Sequence, residues 1–369
     1  MMPPGLGATR QELLALLGRI VGTEPLPTDL QRQALTIFAE LLQAPDVPTP
    51  GALPDALVAL GPDSGRTPPI AVGTAVAGRR LIYVHGICRH VRGFSDAWWE
   101  ALHPFVPTTF GAGVWGQTRL EVIWSDLVNQ ASVRAATRVA AEGATPAEQA
   151  RQQTAEAIKD AVRDRADQHV LHTVATPAGR TSGPIAAADL DGLVSLPGVD
   201  CIDDFALYLT DDQLRQQIID RCIAVVQPAL QAGLELDIVA HSWGTVVAYE
   251  ALRQLEDEGL QAPLVRNFFT VGAALSLGPV KALLRGANKN GTKPASVRRW
   301  VNLNAHGDLI GGALKGRPYD DDIDVIKLAP VGCPSLLGLV NPVCAHSSYF
   351  VSGNVAVNRD IFAHYIGQP

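Results

Sequence analysis

From residue 79 onward, short runs of β-forming, mainly apolar residues recur at intervals: Leu81-Ile82-Tyr83-Val84, then 120–124, 236–240, 268–271 and 300–303. Each is too short for a helix and lacks the strict alternation of a half-buried strand, so each reads as a strand covered on both faces. Helical segments separate most of them. One spans 211–230, and another spans 245–258 with Gly259 as its stop. Buried strands alternating with helices specify a mostly parallel sheet with helices on both faces, an α/β fold.

Two stretches depart from that rhythm. Leu13, Leu14, Leu16 and Leu17 lie close to a helical period, a second helix is expected over 28–42, and a Pro/Gly-rich stretch follows over 44–69. Residues 1–68 are therefore expected to form a helical N-terminal extension and linker ahead of a domain spanning 69–369. The second departure covers about 125–204. There Thr145-Pro146-Ala147-Glu148 spells a capping box with proline at the first helical position. The Ala/Gln/charge-rich run to Asp167 reads as a long exposed helix, followed by a Gly/Pro/Ala loop. An insertion of this size is expected to be a helical cap or lid over a site, with surface decoration as the alternative.

Charge and composition narrow the partners. The chain of 369 residues carries a formal net charge of −7 and no Lys/Arg block, which argues against nucleic acid, whose binding needs a basic stripe. With 47% hydrophobic and 18% charged residues it suits a large buried core. No apolar run reaches the roughly 18 residues that span a bilayer, so no transmembrane segment is expected. Met1-Met2-Pro3-Pro4-Gly5-Leu6-Gly7 lacks a basic region followed by an apolar one, so a secretory leader is not expected and a cytoplasmic location is. Five cysteines are too few and too scattered for a disulfide scaffold; Cys333 and Cys344 bracket one loop and either bridge or remain reduced. Three further patterns carry no cofactor or metal expectation. Gly111-Ala112-Gly113-Val114-Trp115-Gly116 precedes a strand, where a dinucleotide motif must follow one. Asp320, Asp321, Asp322 and Asp324 lack the glycine and distal glutamate of a calcium loop. His169 and His172 lack partners at zinc-like spacing.

The chemistry-bearing segment follows the run at 236–240. It continues through His241-Ser242-Trp243-Gly244 directly into a helix that opens Thr245-Val246-Val247-Ala248-Tyr249. A serine on so sharp a strand-to-helix turn has its hydroxyl lifted clear of the sheet. The helix start behind it supplies backbone N–H groups and a positive dipole end for a developing oxyanion. The tightness of the turn requires small flanking residues, here Ala240 and Gly244.

This segment resembles the nucleophile elbow of the α/β-hydrolase fold family, Gly-x-Ser-x-Gly, with Ala240 in the first place. The resemblance covers roughly residues 79–366 outside the insertion, and it implies a Ser242 nucleophile followed by an acid and then a histidine in chain order. Asp308, in the loop after the run at 300–303, fits the acid's place; the cluster Asp320–Asp324 is the alternative. Ala345-His346-Ser347-Ser348-Tyr349-Phe350 resembles the histidine loop and leads to a last helix near 358–366, making His346 the base. Val84-His85-Gly86-Ile87 resembles the family's oxyanion turn, with the Ile87 and Trp243 N–H groups as donors, Gly86 letting the chain turn inward and His85 shaping the turn without titrating. The implied activity is a lipase or carboxylesterase acting on a small-molecule or lipid-like ester, with no cofactor. Phe94, Trp98, Trp99 and Phe105 suggest an apolar acyl pocket. A thioesterase, amidase or acyltransferase on the same triad, or a non-catalytic binding module, remain open.

Overall fold

Why the apolar runs become strands is visible in what covers them. Arg79–Val84 (β1), Arg119–Val122 (β2), Glu235–His241 (β3), Val265–Val271 (β4), Val297–Ala305 (β5) and Ile323–Leu328 (β6) form one parallel sheet in the order β2-β1-β3-β4-β5-β6. This is a computed structural model that describes residues 78–174, 201–316, 319–333, 335–336 and 339–368. The helices expected near 13–17 and 28–42 and the linker after them lie outside the described residues. The insertion helix expected to end at Asp167 runs on to Val174, and the rest of the Gly/Pro/Ala loop expected after it, residues 175–200, also lies outside the described residues.

The four inner strands are buried on both faces, which is why they read as continuous apolar runs. On one face Leu81, Tyr83, Val239, Phe269, Val271, Val301 and Leu303 share a core with Trp99, Phe110, Tyr349, Phe362 and Ile366. On the other, Ile238, Phe268 and Trp300 are equally buried. Register aligns the strand tips: Val84 pairs with Ala240, Ala240 with Thr270, and Val271 with Leu303. The edge strand β6 is only half covered. Its ladder to β5 shifts register between Leu303 and Ala305, and Lys327 adopts φ 61°, so the edge is bent and charged where a neighbouring chain could pair.

The connections are Asp96–Leu102 (α1) between β1 and β2, then Ser125–Glu142 (α2), Pro146–Val174 (α3), Ile202–Thr210 (α4) and Asp212–Gln231 (α5) between β2 and β3. Gly244–Asp257 (α6) joins β3 to β4, and Pro342–Ser347 (α7) follows β6. The C-terminal helical stretch is Val355–Val357, Asn358–Ala363 and His364–Gly367, with a π-helical middle. Asp211 caps α5 through the Gln213 and Leu214 amides. Thr145 Oγ1 caps α3 at the Glu148 amide, but the Glu148 carboxylate turns to Arg151 and Gln152, so the reciprocal arm of the capping box is replaced by an ion pair. The insertion helix expected to be exposed is so on one side only. Ala155, Ile158, Val162 and Ala166, at helical spacing, form a buried apolar stripe on a helix that packs against α4.

Of the two states left open for Cys333 and Cys344 the bridged one is found, and, unexpectedly, Cys88 pairs with Cys201 across 113 residues. Only buried Cys222 is free among the described residues. The long-range pair could not be read from scattered spacing, since it depends on α4 returning beside the end of β1.

Candidate functional site

At the tip of β3, Ser242 takes φ 56°, a left-handed conformation rare for a residue with a Cβ, and it is 4% exposed. The strain is held from several directions. The Ser242 N–H donates to Val271 O at 2.9 Å, and its carbonyl accepts from the Thr245 N–H, the Thr245 hydroxyl and the Ala274 N–H. Gly244 is needed because the end of β1 crosses directly over the turn: a Cβ there would run into the carbonyls of His85 and Val84. Gly86 lies equally close, its missing Cβ 2.8 Å from Ser242 Cβ.

The expected triad residues meet. His346 Nε2 is 2.9 Å from Ser242 Oγ, and His346 Nδ1 is 2.9 Å from Asp308 Oδ1. With the carboxylate accepting, Nδ1 carries the proton and Nε2 faces the serine hydroxyl as acceptor. Asp308 is fully buried and has four donors. Oδ1 takes His346 and the Ile310 and Gly311 N–H groups, each at 2.9 Å, while Oδ2 takes the Tyr349 hydroxyl at 2.6 Å. Burial pushes this carboxyl upward, but His346, Tyr349 and the Gly311 amide together hold it well below the usual carboxylate range. The Tyr349 hydroxyl accepts in turn from the Ala305 N–H at 2.7 Å. Gly272 and Gly311 crowd the carboxylate so closely that no side chain fits at either position. The acidic cluster lies elsewhere, at the start of β6. Asp322 accepts from Lys293 and the Trp300 N–H, and Asp324 from Asn302 and the Leu314 N–H.

Both ring nitrogens of His85 are engaged: Nδ1 donates to Gly86 O at 2.5 Å, Nε2 accepts from the Trp124 N–H, and burial, aided by His90, holds the ring neutral. His241, one residue before Ser242, donates from Nε2 to His346 O at 2.8 Å, and its ring lies 4.5 Å from the His346 ring, tilted by 35°. Burial brings it down to about 3, so it stays uncharged. Among the described residues neither the Ile87 nor the Trp243 N–H has an acceptor. Both residues are buried, and the chain around each is braced by α4: Cys88 is tied to Cys201, and the Trp243 ring stacks on Phe205 at 3.9 Å.

Trp98 and Phe94 line up beside this cluster. Trp98 stacks on Phe350 at 3.8 Å and meets His241 edge-on, and Phe94 abuts His85. Trp99, grouped with them in the sequence, turns into the core instead, where its ring occupies the space left by Gly113. The Gly111–Gly116 run is thus a turn shaped around a tryptophan. His169 packs against His306, and the His172 side chain lies outside the described residues. Tyr349, His241, Gly272 and Gly311 were not singled out in the sequence. Tyr349 alone left a signal there, as the aromatic three residues after His346.

None of the protein-family models, curated proteins or solved structures compared with the chain matches it. The parallel sheet flanked by helices and the Ser242–His346–Asp308 arrangement at its strand tips are nevertheless those of the α/β-hydrolase fold, and they support a serine-hydrolase mechanism.

Proposed function

We propose that the protein hydrolyses carboxylic esters through an acyl-enzyme. The unbroken hydrogen-bonded path Ser242–His346–Asp308 carries the reading. His346 Nε2 takes the hydroxyl proton as Ser242 Oγ attacks the ester carbonyl, forming a tetrahedral oxyanion. The C–O bond to the alcohol then breaks as His346 returns the proton to the leaving oxygen. Water, deprotonated by the same nitrogen, attacks the acyl-enzyme and releases the acid and Ser242. Asp308 keeps the imidazole in the Nδ1–H tautomer and offsets the imidazolium charge. The N–H groups of Ile87 and Trp243, without an acceptor among the described residues, receive the oxyanion, a role that suits two buried donors beside the nucleophile.

The half-buried rings of Phe94 and Trp98 favour an apolar acyl or alcohol group. The insertion serves as a cap over this side, and residues 1–68 as an accessory extension. Two cystines favour an oxidising compartment over the cytoplasmic one expected from the sequence. A series of p-nitrophenyl esters of increasing chain length, with a p-nitroanilide control, tests the proposal. Ester turnover with a burst of nitrophenol is expected. Anilide cleavage without ester cleavage would overturn it.

A further inference from the structure

The acid loop does not stand by itself. Arg165, on the second helix of the insertion, reaches it with one guanidinium nitrogen: Nη1 donates to Leu309 O at 3.3 Å, Ile310 O at 2.6 Å and Gly311 O at 2.8 Å. Nη2 donates to Ser276 O at 2.7 Å and Ser276 Oγ at 3.0 Å. Gly312 leaves room for the fork, since a Cβ there would press on Nη2 and on Ser276.

Two of these carbonyls belong to the very peptide units that hold the carboxylate. Leu309 O and the Ile310 N–H share one peptide, and Ile310 O and the Gly311 N–H share the next. Both N–H groups donate to Asp308 Oδ1. The cation thus sits at the negative end of two peptide dipoles whose positive ends point at the acid, an arrangement in which each hydrogen bond strengthens the other. Without a cation, three carbonyl oxygens would converge with only the Ser276 hydroxyl, 3.2 Å from Ile310 O, to pair any of them. The Ser276 contacts add a second tie, because Ser276 closes the Ala274–Ser276 turn, whose first N–H donates to Ser242 O.

We infer that Arg165 is a positioning residue for the reaction: it fastens the Asp308 loop to the turn behind Ser242 and aligns the two amides that orient the carboxylate. This role rests on the proposed hydrolase reading. Lysine is a poor substitute, since an ammonium carries three hydrogens on one atom and cannot span five acceptors on two segments.

The test compares Arg165→Ala and Arg165→Lys with the unaltered protein on a short acetate ester, scaling kcat to active sites titrated with a fluorophosphonate. Arg165→Ala is expected to lower kcat per site about 10- to 100-fold, as a small misplacement of a catalytic group does, with KM within about twofold. Millimolar guanidinium should restore part of the loss, and Arg165→Lys should fall between. Arg163→Ala is the control. Arg163 lies on the same helix but pairs with Asp160 on its exposed side, and no change is expected. An Arg165→Ala protein with unchanged kcat per site, or one whose loss guanidinium does not touch and melting fully explains, overturns the role alone. If alanine prevents folding, Arg165→Lys with undiminished kcat overturns it. Absence of both turnover and labelling in the unaltered protein overturns the hydrolase reading, and this role with it.

Discussion

Asp308 shows how much one residue can depend on neighbours that are remote in sequence. Its carboxylate is oriented by His346, Tyr349 and two loop amides, all of which require it to be an acceptor at both oxygens. In Asp308→Asn the amide nitrogen replaces one acceptor with a donor, so the imidazole loses its tautomer and its countercharge. Ester turnover is expected to fall by about 10⁴, with the melting temperature changed far less; activity within tenfold of the unaltered protein would move the acid elsewhere. The same neighbourhood holds three neutral histidines. His85, His90 and His241 are all lowered, chiefly by burial, His241 to about 3. Between there and the unfolded value of about 6.5 the unfolded chain binds more protons, so stability is present above that window and is lost as pH falls into it. Melting temperature should therefore drop steadily from pH 7 to pH 5, and the slope should be shallower in His90→Asn. A flat profile would contradict the neutral cluster. Ser242, Asp308 and His346 were legible because a turn, a strand end and a chain order mark them. Tyr349 and His241 were not, since their meaning arises only when loops from β3, β5 and the histidine segment converge.

At the scale of elements, strands were easier to read than the helices of the insertion. Burial on both faces leaves continuous apolar runs, whereas α3 buries alanine, isoleucine and valine among charges and so resembles a solvated helix. Its partner α4 links both oxyanion candidates to the rest of the domain, through Cys88–Cys201 and through Phe205 against Trp243. Closing a loop of 113 residues is worth about 5 kcal/mol in the chain-entropy description, against about 3 kcal/mol for the 11-residue separation of Cys333–Cys344. Cys88→Ser with Cys201→Ser is thus expected to lower stability more than the Cys333, Cys344 pair of substitutions, and to lower kcat as well. Equal losses from both would separate the first disulfide from the site. The helix behind the nucleophile is secured differently. Glu250 on α6 accepts from Arg215 at 2.5 and 2.8 Å and from Tyr208 at 2.7 Å, all with almost no exposure. Glu250→Ala leaves a buried guanidinium without its partner and should cost about 3–5 kcal/mol by denaturant unfolding; a loss under 1 kcal/mol would mean that the pair adds little.

For the whole molecule, the parallel order β2-β1-β3-β4-β5-β6 gathers the chemistry. All six strands of this sheet point the same way, so the turn after β1, the elbow after β3, the loop of Asp308 after β5 and the loop of His346 beyond β6 come together at the C-terminal end of the sheet. The start of β6, with Asp322 and Asp324, belongs to the other end of the same parallel array, and the sequence order of the motifs therefore carried much spatial information. Chain order was silent about the insertion's contacts: α3 reaches the 309–311 loop through Arg165, and α4 meets the segments of Ile87 and Trp243 through Cys201–Cys88 and Phe205. Everything depends on Ser242 being a nucleophile activated by its neighbours. The most direct measurement is labelling of the intact protein with a fluorophosphonate, followed by mass spectrometry of the modified peptide and ester kinetics of Ser242→Ala. Stoichiometric modification at Ser242, abolished in Ser242→Ala and slowed in His346→Ala, with turnover lower by several orders of magnitude in both folded variants, is the expected result. A folded Ser242→Ala protein that still hydrolyses esters at the original rate, or a label that settles on another residue, would contradict it.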